Sequence, residues 1–156
     1  MIKVLIALDY DPTAQKVAEQ GYSLAKAMGA EVILMHVVTD PAYYTTTEYS
    51  PIMGFGGYMD VAQLYPVPTD GLKLASQLFL EKTKHHLKDE TIQITIKDGD
   101  IADSILKSAK EVHADIIVMG SHSRKWLENI VIGSVAKDVL NHTKVPLYII
   151  PTKKSS

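Results

Sequence analysis

Residues 115–140 read DIIVMGSHSRKWLENIVIGSVAKDVL, and this stretch decides the fold. Asp115 to Met119 (DIIVM) is a short apolar run, the pattern of a strand buried on both faces. Gly120-Ser121-His122-Ser123 follows it directly. Gly133-Ser134 then opens a helix over residues 133–142, with Val135, Ala136, Val139 and Leu140 directed inward. A glycine followed by serine at a helix start leaves backbone N–H groups for a ligand, and the helix dipole favours an anion there. The loop between carries Arg124, the one arginine of the chain, and Trp126, the one tryptophan.

The same alternation extends in both directions. Downstream, Leu147 to Ile150 is a last strand between Pro146 and Pro151. Upstream, Ile101, Ile105, Leu106 and Ala109 place a helical stripe on residues 100–113. Ile92 to Ile96 alternates apolar and polar, as a less buried strand does. Residues 70–88 read as a helix with Leu74, Leu78 and His85 or Leu87 near one face. At the N-terminus, Val4 to Leu8 is a strand, and residues 13–28 form a helix with Ala14, Val17, Ala18, Gly21, Leu24, Ala25 and Met28 on one stripe. Gly29 stops that helix. Glu31 to Val38 (EVILMHVV) is a second strand. Strands alternating with helices predict an open, mostly parallel sheet with helices on both faces.

Composition bounds the function. The chain has 156 residues, a size typical of one domain. It has no cysteine, so disulfides, thiolate metal sites and thiol catalysis are excluded. A net charge of −2 argues against nucleic-acid binding. The apolar run near the N-terminus is broken by Lys3 and ends at Asp9, too short for a signal peptide or a membrane span, so a cytoplasmic location without membrane attachment is expected. The Asn141-His142-Thr143 sequon is then fortuitous.

Residues 39–69 break the rhythm. They hold Pro41, Pro51, Pro66 and Pro68, Gly54, Gly56 and Gly57, and five of the eight tyrosines. Long connections of this kind are decorated surface loops or functional ones, and tyrosine supplies amphipathic contact area. A short helix around Met59 to Leu64 fits within the insertion. The domain is expected to span 1–152, followed by a polar tail at 153–156.

In open parallel sheets, ligands bind at the carboxyl ends of strands where the strand order reverses. Asp9, Val37-Val38-Thr39 and Gly120 stand at those ends. There is no GxxxxGK[ST] and no GxGxxG after the first strand, so neither a Walker loop nor a dinucleotide fingerprint is present.

The spacing from Gly120 to position 123, and from there to Gly133-Ser134, resembles the G-x2-G-x9-G-[ST] pattern of the universal stress protein family. The start KVLIALD, the strand VILMHVV and the closing KVPLYIIP are similar to that family as well. The resemblance covers residues 2–38 and about 90–151. It implies a five-stranded parallel sheet of order 3-2-1-4-5, the adenine nucleotide alpha hydrolase-like arrangement. By resemblance to ATP-binding members, Ala7, Leu8 and Asp9 would lie along adenine and ribose, Val37 would meet the adenine through its backbone, and Met119 would pack nearby. Gly120, His122, Ser123, Arg124, Gly133, Ser134, Val135 and Ala136 would surround ribose and phosphates, with Mg²⁺ accompanying ATP. Two positions depart from the pattern. Ser123 stands where ATP binders carry glycine, and its Cβ can crowd a phosphate. Ala136 stands where many carry Ser or Thr, which removes one hydrogen bond of roughly 0.5–1.5 kcal/mol. The resemblance also implies a homodimer through Val145 to Ile150, an apolar strand at a sheet edge, where pairing with another chain is favoured.

Other residues weigh against catalysis. Asp9 is read as a ligand contact over a strand-ending turn residue. His122 is read as a solvated loop residue or a phosphate contact rather than a base. His36 sits in a buried strand as a satisfied core histidine, and His85 and His86, adjacent on a helix, point apart. Asp98, Asp100 and Asp103 lack the glycine and glutamate of a calcium loop and cap a helix instead. Ser134-Val-Ala-Lys137 and Ser104-Ile-Leu-Lys107 fit S-x-x-K without its companion motifs. Three functions follow: a non-catalytic nucleotide-binding stress-response protein, a nucleotide-free interaction protein, and a weak ATPase, with binding favoured over catalysis.

Overall fold

The computed structural model describes residues 1–9, 14–38, 69–121 and 132–152. In chain order the elements are β1 (Lys3–Ala7), α1 (Ala14–Ala27), β2 (Glu31–Val38), α2 (Thr69–His86), β3 (Gln93–Asp98), α3 (Ile101–Val112), β4 (Ile116–Gly120), α4 (Ser134–His142) and β5 (Leu147–Ile150). The strands form one five-stranded sheet in the order β3-β2-β1-β4-β5, every neighbouring pair parallel. This is the expected architecture. The insertion is outside the described residues up to 68, including the helix expected near Met59, as is the tail at 153–156; Thr69 already belongs to α2.

The pleat divides the apolar strand residues between two cores. Val4, Ile6, Val32, Leu34 and Val118 face α1 and α2, whereas Leu5, Ile33, Met35, Ile117 and Met119 face α3 and α4. The central strands read as continuous apolar runs because both faces are covered. β3 is an edge strand of intermediate burial, which matches its alternating sequence. Helix α1 lies close to the sheet because Gly21 has no side chain: a Cβ there would come within 3.0 Å of Ile6 and Val118. The helix is followed by Gly29 at φ +65, the left-handed conformation glycine tolerates best.

Two helical faces differ from the periodic reading. In α2 the buried stripe is Leu72, Ser76, Phe79, Leu80 and Thr83, while Leu74 is 59% exposed and Leu78 is exposed too. The stripe accommodates hydroxyls because Ser76 Oγ donates to the Leu72 carbonyl at 2.7 Å and Thr83 Oγ1 to the Phe79 carbonyl at 2.9 Å. In α4, Ala136 and Val139 are buried but Leu140 is 52% exposed, since so short a helix covers only a narrow strip of the sheet. Asp100 is the N-cap of α3, its carboxylate accepting from the Asp103 N–H at 3.0 Å, as its sequence position predicts. Among the described residues no helix is long and apolar enough to cross a membrane.

Candidate functional site

The chain leaves β1 toward β2 on one side and β4 toward β5 on the other, so the switch point lies between β1 and β4. A cleft opens there. Ala7, Leu8 and Asp9 reach it from the end of β1, Val37 from β2, Met119 and Gly120 from β4, and Val135 from α4. These are residues that the sequence places in the site. Gly133, Ser134 and Ala136 stand at the start of α4 but do not line the cleft. His122, Ser123 and Arg124 lie outside the described residues.

The start of α4 is set by a backbone bond: the Gly133 N–H donates to the Ser121 carbonyl at 2.5 Å. The first intrahelical bond runs from Lys137 N–H to the Gly133 carbonyl, and Gly133 supplies no side-chain cap. The N–H groups of the first turn are those a helix cannot satisfy internally. Gly133 has φ −72, a conformation open to any residue. Ala136 is buried in the core shared by α3 and α4. Its backbone N–H, not its side chain, is the part of the residue that belongs to the helix start.

Gly120 has a packing reason to be glycine. A Cβ there would stand 2.8 Å from Thr152 Cγ2 and 3.2 Å from Val17 Cγ2. Thr152 is fixed beside it, its N–H donating to Ser121 Oγ at 2.9 Å and its hydroxyl 3.3 Å from the same oxygen, while the Ser121 N–H donates to the Ile150 carbonyl. The ends of β4 and β5 are thus bound together behind the cleft.

Several lining residues were not expected at the site. Ala14 and Val17 come from the start of α1, Ile101 and Ile105 from the first two turns of α3, and Met35 and His36 from β2. In a parallel sheet each helix starts near a carboxyl end, so the first apolar residues of α1 and α3 were the readable signal. His36 is the core histidine expected, 2% exposed and hydrogen-bonded through Nδ1 to the Leu8 carbonyl at 2.8 Å. Burial pushes its pKa below the ordinary histidine value, against the opposing pull of Asp9 and of the Leu8 carbonyl. The imidazole is therefore neutral near pH 7, with Nδ1 carrying the proton.

Comparison with known proteins gives a consistent relationship. The model of the "Universal stress protein family" matches residues 1–151. Universal stress protein MJ0577 of Methanocaldococcus jannaschii is 27% identical, covering 98% of this chain and 96% of that protein. A solved structure of MJ0577 superposes with a TM-score of 0.72 at 24% identity, covering 99% and 98% of the two chains. A universal stress protein solved in complex with cAMP gives 0.63 at 16% identity over 97% of each chain. The universal stress protein of Archaeoglobus fulgidus in complex with dAMP gives 0.59 at 19% identity over 96% and 98%.

Proposed function

The chain belongs to the universal stress protein family, a family of stress-response proteins, and from that premise we propose that its cleft is an adenine-nucleotide site in a non-catalytic, dimeric signalling protein of the cytoplasm. The observation that carries this reading is the convergence of Ala7, Leu8, Asp9, Val37, Met119, Gly120 and Val135 on one cleft at the switch point. Structures of the same fold have been solved with cAMP and with dAMP, which supports an adenine ligand. The apolar wall of Ala7, Val37 and Met119 suits a base, and Asp9 can accept from a ribose hydroxyl. Phosphates would meet Gly120, the loop of His122, Ser123 and Arg124, and the first-turn N–H groups of Ser134, Val135 and Ala136.

A ligand that favours one arrangement of the cleft can report occupancy without being turned over. Mg²⁺ would arrive on the phosphates of ATP. Among the described residues Asp9 is the carboxylate of the cleft, and no cluster of three or more His, Cys, Asp or Glu side chains is placed to hold a metal. The β5 edge supports the dimer: Tyr148 is 44% exposed on a strand that pairs with β4 on one side among the described residues.

Isothermal titration with ATP, ADP and AMP, with and without Mg²⁺, tests the reading. Saturable heat without phosphate release is the expected result, and no heat with any nucleotide overturns it. Asp9→Ala should weaken AMP binding about tenfold, the loss of one charge-assisted hydrogen bond. Ser123→Gly should tighten ATP binding more than AMP binding. Sedimentation of a monomer at micromolar concentration would remove the dimer.

A further inference from the structure

His36 does more than fill the core. It lies in β2, on the face covered by α1 and α2, and its ring meets that of Phe79 in α2 edge-on, centroids 6.4 Å apart at 78°. β1 ends at Ala7, but one further bond continues the ladder: the Leu8 N–H donates to the Met35 carbonyl at 2.9 Å. In a parallel ladder the Leu8 carbonyl would next accept from the backbone of β2. Here it accepts from the imidazole of His36 at 2.8 Å. A side chain of the neighbouring strand therefore takes the place of a backbone donor at the point where the chain leaves the sheet. Leu8 is held on both sides, through its N–H by Met35 and through its carbonyl by His36. The next residue is Asp9, which lines the cleft, and its charge is felt by the ring.

We propose that His36 is the positioning residue of this cleft: its Nδ1–H fixes the Leu8 carbonyl and so sets the direction in which Asp9 enters the site. The ring is suited to the task because Phe79 restricts its rotation and burial keeps it neutral, which leaves one proton on a defined nitrogen. The clamp itself is independent of any ligand. Its consequence for binding rests on the adenine-nucleotide reading given above.

Two variants and two readouts test it. His36→Asn keeps an N–H near the Nδ1 position, whereas His36→Leu keeps bulk and removes the donor. The first readout needs no nucleotide. In the wild type, long-range ¹H–¹⁵N spectra should show the Nδ1–H tautomer of His36. Amide exchange at Leu8 and Asp9 should accelerate at least tenfold in His36→Leu and remain near wild type in His36→Asn. The second readout is AMP affinity, expected to fall about tenfold in His36→Leu and less than threefold in His36→Asn. An Nε2–H tautomer, unchanged exchange in His36→Leu, or equal losses in both variants would overturn the proposal. If His36→Leu does not fold, the tautomer and the Asn variant still decide. If the wild type binds no AMP, the nucleotide reading fails, while the tautomer and exchange results still decide the clamp.

Discussion

The turn at one end of the sheet and the cleft at the other are tied by different chemistry. At the amino ends of the strands, the turn between α2 and β3 is tied by Asp89. One carboxylate oxygen accepts from the Thr91 N–H at 2.9 Å and the Thr91 hydroxyl at 2.5 Å. The other accepts from the Tyr22 hydroxyl of α1 at 2.8 Å, with Lys26 at 3.7 Å. These contacts hold the Asp89 carboxyl down at about 2 and push the Tyr22 phenol up, burial and the neighbouring carboxylate both acting on the latter. At the carboxyl ends, the ties beside the cleft are made by neutral groups, the His36 imidazole on the Leu8 carbonyl and Ser121 with Thr152. The charged contacts there, Lys73 with Asp98 at 2.8 Å and Lys16 with the Pro151 carbonyl at 2.8 Å, lie outside its lining. Among the described residues Asp9 is the carboxylate that lines the cleft. The Asp89 turn uses a carboxylate to close, whereas at the cleft a carboxylate belongs to the lining.

The largest expected effect comes from breaking the charged end. Asp89→Ala removes an acceptor shared by two elements and should cost about 2–3 kcal/mol in urea unfolding, given that hydrogen bonds to a charged group are the stronger class. It should leave AMP affinity within twofold of wild type. A loss of affinity comparable to that of Asp9→Ala would show that the two ends are not separate in function.

The neutral end can be broken sterically. Gly120→Ala puts a Cβ against Thr152 Cγ2 at 2.8 Å and should cost about 1–3 kcal/mol by overpacking. Thr152→Ser removes that methyl and keeps the hydroxyl bonded to Ser121. The double variant should regain about half of the loss, a coupling a double-mutant cycle measures directly. Additive losses would mean that Val17, 3.2 Å away, is the neighbour that resists.

The cleft side of this contrast was partly legible beforehand and the Asp89 turn was not, for physical reasons. The apolar runs of β1, β2 and β4 were readable as strands because central parallel strands need continuous apolar sequence, and they placed Asp9, Val37 and Gly120 at strand ends. The strand order and the remaining cleft residues came from the resemblance to universal stress proteins. The buried face of α2 was not legible: Ser76 and Thr83 read as polar until their hydroxyls are seen returning to the preceding turn. Leu140 misled for the opposite reason, an apolar residue beyond the reach of the sheet. His36 was placed correctly in the core, but its bond to Leu8 joins residues 28 apart in the chain, and no periodicity announces such a contact. The readable part of the site is what the strands carry, and the unreadable part is what side chains do across strands.

The smallest effect separates the two ends by pH. The pKa of His36 is lowered in the folded protein by burial, so the unfolded chain binds the extra proton first. Its contribution is complete above the unfolded histidine value of about 6.5 and declines as pH falls below it toward the folded pKa. Asp89 acts in a lower window, since its pKa falls from 3.8 to about 2: its contribution is present above about pH 4 and is lost between about pH 4 and 2. Unfolding free energies measured from pH 7.5 to 5 should therefore decline slightly, with amide exchange at Leu8 and Asp9 rising more than exchange at Thr91. His36→Asn should flatten this first limb and leave the second unchanged, whereas Asp89→Asn should do the reverse. If both limbs respond to the same substitution, the two ends of the sheet open as one cooperative unit and the division between a charged closure and a neutral one has no energetic meaning.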